Sequence, residues 1–162
     1  MATFSDLKFV LITTGDEGGT WGATTNKNLG TAIEEAIVGS ADVTFASADV
    51  TLDLQDLPTP LTQTARNFRL NLTGTSGGAR MLYLGSGCQI QKPYVIKNGL
   101  ADAVTVRNYI GSTGSGSSVT IPAGKTAWVF NTGSNVLPAV DYMDALSPVS
   151  YTHLTLPTIL LV

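Results

Sequence analysis

Three aspartates, Asp49, Asp53 and Asp56, recur at spacings of four and three, and a pair of carboxylates is the minimum set for hydrolysing a glycosidic bond. Asp49 and Asp53 nevertheless share one face of an alternating run whose other face carries Val50, Leu52 and Leu54. A solvated strand face is therefore the first reading, and a polysaccharide depolymerase the last. Glu34 and Glu35 are adjacent on a predicted helix, so their side chains diverge and shared acid–base work is not expected of them. The single cysteine, Cys88, excludes an internal disulfide or a thiolate metal cluster within one chain and reads as a small buried thiol. Gly124-Lys125-Thr126 ends like a phosphate-binding loop. Val119 stands where that motif needs its first glycine, and the flanking patterns are both strands, so a tight turn presenting a lysine is the better account. Asn71-Leu72-Thr73 fits a glycosylation acceptor, with no secretory leader to give it weight.

Histidine chemistry would rest on His153, the one histidine of the chain. It lies within Val149-Ser150-Tyr151-Thr152-His153-Leu154-Thr155-Leu156-Pro157-Thr158, which resembles, codon by codon, the translated transposon end of a sequencing library. Residues 149–162 are accordingly expected to be a non-native tail, and the natural sequence to be cut near Pro148. With His153 set aside, no catalytic residue, metal ligand or cofactor site is expected, and the chain reads as a non-enzyme.

Charge narrows the partners. The formal net charge is -3 with charged residues at 13%, and the nine basic residues form no run. Phosphate-driven nucleic-acid binding is not expected. Phe9-Val10-Leu11-Ile12 is too short for a signal-peptide core and nothing in the natural part approaches a membrane span, so a soluble chain made in the cytoplasm of the expressing cell is expected.

The elements that would position these groups follow from hydrophobic period. Residues 1–12 form an N-terminal segment. Residues 13–28, small, polar and Gly-rich, read as an extended arm or loop in which Trp21 stands alone and must pack on another element or another subunit. Leu29, Ala32, Ile33, Ala36 and Ile37 recur at helical spacing over Asn28 to Val38, with Glu34 and Glu35 opposite and Gly39 at the left-handed C-cap position. Residues 13–39 are thus an arm plus one short helix, suited to oligomerisation or docking. From Asp42 the period becomes two: Val50-Leu52-Leu54, Phe68-Leu70-Leu72, Val104-Val106, Val119-Ile121 and Val129 alternate with polar residues, as half-buried antiparallel strands do.

Turn chemistry falls between those strands at Pro58-Thr59-Pro60, Gly74 to Gly78, Gly85-Ser86-Gly87, Asn98-Gly99 and Pro122 to Lys125. Asn98-Gly99 suggests a hairpin, and Gly111 to Ser118 a flexible connection. Residues 42–143 are expected to form an all-β domain, β-sandwich or jelly-roll-like, with one short N-terminal helix before it. Residues 144–148 would begin the severed continuation.

Aromatic residues offer binding chemistry. Trp21, Tyr83, Tyr94, Tyr109, Trp128 and Tyr142 could stack on sugar rings if exposed. Trp128 points opposite to Val129 in its strand, so one of the two must be less buried. Core or subunit packing is the first reading for both tryptophans.

These pieces form a pattern: Gly19-Thr20-Trp21-Gly22 with Thr24-Thr25-Asn26, then Ala65-Arg66-Asn67 leading into a strand, then Ile121-Pro122-Ala123-Gly124-Lys125 followed by an apolar strand and Asn135-Val136. Over nearly all of residues 13–143 the chain resembles tail-fibre-like virion proteins of tailed bacteriophages, of the kind common in marine metagenomic sequence. The resemblance implies a β-rich structural protein, a homotrimer sited in the virion tail, assembled in the host cytoplasm with other tail proteins and serving host adsorption. It names no receptor. Trp21, Ile33, Ile37 and Trp128 are the candidate interface or ligand contacts. The alternative is a carbohydrate-binding β module contacting bacterial surface polysaccharide.

Overall fold

The computed structural model describes residues 3–15, 18–57, 61–110 and 113–140. Pro58-Thr59-Pro60, Tyr142, residues 144–148 and the tail 149–162 with His153 lie outside the described residues. A two-stranded ribbon, β1 (Thr3–Phe4) and β2 (Val10–Leu11), precedes a helical rod of three consecutive segments: α1 (Trp21–Lys27), a π-helical stretch (Asn28–Ile33) and α2 (Glu34–Ile37). The strands β3 (Ser40–Ala46), β4 (Val50–Leu52), β5 (Arg69–Thr75), β6 (Arg80–Leu84), β7 (Gln91–Asn98), β8 (Val104–Ile110), β9 (Thr113–Ile121), β10 (Thr126–Thr132) and β11 (Val136–Pro138) follow, with a single 3-10 turn at Thr64–Arg66.

The strands build two sheets, ordered β11-β10-β7-β5-β3 and β4-β6-β8-β9. Their inward side chains meet in one core: Val43, Phe45, Leu70, Leu72, Tyr94, Ile96 and Val129 from the first sheet, Leu82, Leu84, Val104, Val106 and Ile121 from the second. This is the expected all-β sandwich with a helix at its N-terminal side. Its wiring is not the expected antiparallel one. The chain alternates between sheets, β3 to β4, β5 to β6, β7 to β8, so β3, β5 and β7 pair in parallel, as do β4, β6 and β8. Three coils stack in this way, and antiparallel β9, β10 and β11 then close the far end on β8 and β7.

The difference has a physical cause. Parallel strands usually betray themselves by continuous apolar runs because both faces are covered. Here each sheet keeps a solvated outer face, so its strands alternate just as antiparallel ones do. Asn98-Gly99 is accordingly no hairpin: β7 and β8 belong to different sheets, and Asn98 is a buried bracket whose Nδ2 donates to Asp102 O and Ile121 O, each at 2.9 Å. The supposed flexible connection at Gly111 to Ser118 is also corrected, since residues from Thr113 onward pair with β8. Gly116 explains its own residue type there, having φ +75 and a position where a Cβ would collide with Ser134 O.

Candidate association and ligand surfaces

The rod begins at Trp21, well before the expected helix, so the Gly-rich segment is partly helical. Its sequence, rich in Gly and Thr, has little helix propensity. Tertiary contacts hold it. Asn28 acts as a strand-like neighbour for β2, accepting from Val10 N at 3.1 Å and donating to Val10 O at 2.7 Å. The π-helical turn rotates the apolar stripe away from the predicted face. Ala32 and Glu35 are buried, Ile33 is half-buried, and Leu29 and Ile37 point outward. Glu35 was expected on the solvated face and stands inward instead. Gly39 is not a left-handed cap: a Cβ there would overlap Asn67 Oδ1 and the backbone of Glu35, so close approach is what demands glycine.

That close approach belongs to a polar node. Arg66 is fully buried; its Nη1 donates to Glu35 Oε2 at 2.9 Å and Leu61 O at 3.0 Å, and its Nε to Leu7 O at 3.0 Å. One guanidinium thus ties the N-terminal ribbon, the rod and the lead into β5 together. Burial lowers the Arg66 pKa, and the opposite charge of Glu35 resists the shift; a fixed guanidinium fork suits such a site better than an ammonium would. Around it Phe68 N donates to Glu35 O, Asn67 Nδ2 to Gln63 O, Lys92 Nζ to Asn67 O at 3.0 Å and Tyr94 Oη to Ala65 O at 2.9 Å. The Ala65-Arg66-Asn67 motif is therefore structural glue. Burial pushes the Lys92 pKa down to about 8 and the Cys88 thiol up to about 12, so Cys88 is neither a thiolate nucleophile nor exposed to become one.

The carboxylates are dispersed. Asp49 accepts from Met81 N and Asp53 from Ser86 N, both pinning the first coil to the second. Strand β6 alone spans roughly 10 Å between Met81 and Leu84, with Ser86 beyond, whereas a retaining acid–nucleophile pair needs about 5–5.5 Å. Asp56 pairs with Lys8 at 3.1 Å. No group of three or more metal-ligating side chains occurs among the described residues.

Exposed apolar residues occur on, among other places, the N-terminal unit and the five-stranded sheet. The N-terminal unit carries Trp21 (61% exposed), Leu29 (55%), Ile37 (64%) and Val38 (69%), with Leu11 and Ile12 on the ribbon beside it. The outer face of the five-stranded sheet carries Trp128 (53% exposed), opposite in direction to fully buried Val129. Tyr83 and Tyr109 pack edge to face with ring centroids 5.2 Å apart, and Tyr94 is buried. A buried amide relay, Asn108 Nδ2 to Asn131 Oδ1 and Asn131 Nδ2 to Cys88 O, both 2.7 Å, joins the two sheets and had no signal in the hydrophobic pattern. No helix among the described residues is long and apolar enough to cross a membrane. Comparisons with protein-family models, curated proteins and solved structures find no match.

Proposed function

We propose that this chain is a non-enzymatic, tail-fibre-like structural protein of a tailed-bacteriophage virion, assembling as a homotrimer with other tail proteins and supporting host adsorption. The observation that carries the reading is the N-terminal unit. Trp21, Leu29, Ile37 and Val38 are each more than half exposed, and burying such a side chain stabilises an assembly by about 1.5–3 kcal/mol. Symmetric association is the economical way to cover them. The motifs behind the resemblance support it as well, since Ala65-Arg66-Asn67 forms the buried node and Ile121 to Lys125 the turn that carries the chain from one sheet to the other.

Size-exclusion chromatography with light scattering tests the reading. A trimeric mass that persists on dilution is expected; a monomer at every concentration would overturn it. The carbohydrate-binding reading is favoured by a different observation, the exposed Trp128 on a rigid sheet, and does not depend on the oligomeric state.

A further inference from the structure

Cross-strand register places two rows of side chains on the outer face of the five-stranded sheet. Trp128 pairs with Val95, Val95 with Arg69 and Arg69 with Ser40; in the next row Lys97 pairs with Thr126 and Asn71, and Asn71 with Asp42. Residues opposed across neighbouring strands share a face, with strands about 4.8 Å apart. The indole is therefore one strand from Lys97 on the diagonal and two strands from Arg69. A depression of about 320 Å³ on the same face is lined among others by Asp42, Arg69, Asn71 and Lys97, and Trp128 is not part of its wall.

The chemistry of that depression is specific. Arg69 and Lys97 are exposed, and neither is in an ion pair among the described residues. Asp42 is held by Asn71, whose Nδ2 donates to its Oδ1 at 3.1 Å and to Ser40 Oγ at 3.3 Å. Two cations against one engaged carboxylate make the spot locally positive on a chain of net charge -3. Asn71 Oδ1 is itself buried out of reach of a surface ligand, so this side chain serves to hold Asp42 and Ser40 through its Nδ2. A flat apolar platform and a two-cation clamp within three adjacent strands describe one ligand class.

We infer that this face binds an acidic saccharide: a pyranose ring stacks on Trp128, and a ring carboxylate sits between Arg69 and Lys97. Charge-assisted contacts from a guanidinium suit a carboxylate best. The inference deepens the carbohydrate-binding reading and stands apart from the oligomeric state.

The experiment is fluorescence titration of the full chain in a Trp21→Phe background, which leaves Trp128 as the reporting indole. Oligogalacturonate is expected to shift its emission, with affinity falling as salt rises. Trp128→Ala in the otherwise unaltered chain, followed by calorimetry, and the double change Arg69→Ala with Lys97→Ala should each weaken binding about tenfold or more. These residues are exposed, so unchanged circular dichroism and melting will show that the variants fold. Binding of a neutral maltooligosaccharide equal to that of oligogalacturonate would overturn the acidic assignment and leave the carbohydrate-binding reading standing. An equal response to polyglutamate would overturn the saccharide class itself. No response to any of the three would overturn both.

Discussion

Trp21 and Trp128 are exposed to similar degrees, 61% and 53%, yet their settings differ in kind. Trp21 opens a rod whose residues have poor helix propensity and whose attachment runs through Asn28 and the Arg66–Glu35 pair. Its exposed companions Leu29, Ile37 and Val38 are apolar. Trp128 stands on a strand hydrogen-bonded on both sides, on the same face as Lys97 of the adjacent strand and Arg69 of the next. Exposure alone therefore does not assign a role to a tryptophan. Apolar neighbours on a locally supported element suit burial against another chain, while polar neighbours on a rigid platform suit an oriented ligand.

The comparison can be broken most forcefully at its support. Arg66→Ala leaves Glu35 buried without its counter-charge and should cost about 3–5 kcal/mol, read as a lowered urea midpoint. Limited proteolysis of that variant should cut first within the N-terminal unit while the sheet beneath Trp128 persists; simultaneous loss of both would contradict the separation.

The support of Trp128 has a pH signature of its own, because Lys92 and Tyr94 lie on the inner face of β7. Lys92 titrates at about 8 in the folded chain against an ordinary 10.5. Between those values the unfolded chain holds a proton that the folded chain lacks, so stability rises with pH, by up to about 1.4 kcal/mol per unit. Below the lower value the full penalty of the buried charge is present. Cys88 works in the opposite direction, retaining its proton up to about 12 against an ordinary 9.0. Unfolding midpoints should therefore climb from pH 8 to 9 and then flatten or fall. Lys92→Met should abolish the climb and Cys88→Ala should prolong it.

Association sharpens the contrast further. Trp21→Ser with Leu29→Ser should weaken self-association about tenfold or more, by sedimentation, while Trp128→Ser leaves the mass unchanged. The smallest effect is expected of Trp128→Ser on folding, within about 0.5 kcal/mol, as for an exposed side chain outside any structural network; a larger loss would mean that the indole is part of the packing.

Much of this was legible residue by residue. Period-two alternation located the buried side of β5, β8 and β10, the clusters at Gly85 to Gly87 and Pro122 to Lys125 marked turns, and Trp128 was correctly set against Val129. What escaped detection was relational. Glu35 and Arg66 read separately as a helix-surface acid and a scattered base, and nothing local announces that they meet. Val95, Arg69 and Ser40 gain their common face only once three coils stack in register.

The amino-acid order by itself determined that the chain is β-rich, that a helical stretch precedes the sandwich strands, and which side of β5, β8 and β10 faces inward, because those follow from side-chain period and turn chemistry. Only the tertiary structure decided that strands alternate between two sheets and pair in parallel, that a buried guanidinium anchors the rod, and that an indole and two cations share one face. Period-two alternation is the same for parallel and antiparallel neighbours whenever one face stays in water, so pairing partners are chosen by long-range packing and not by local pattern.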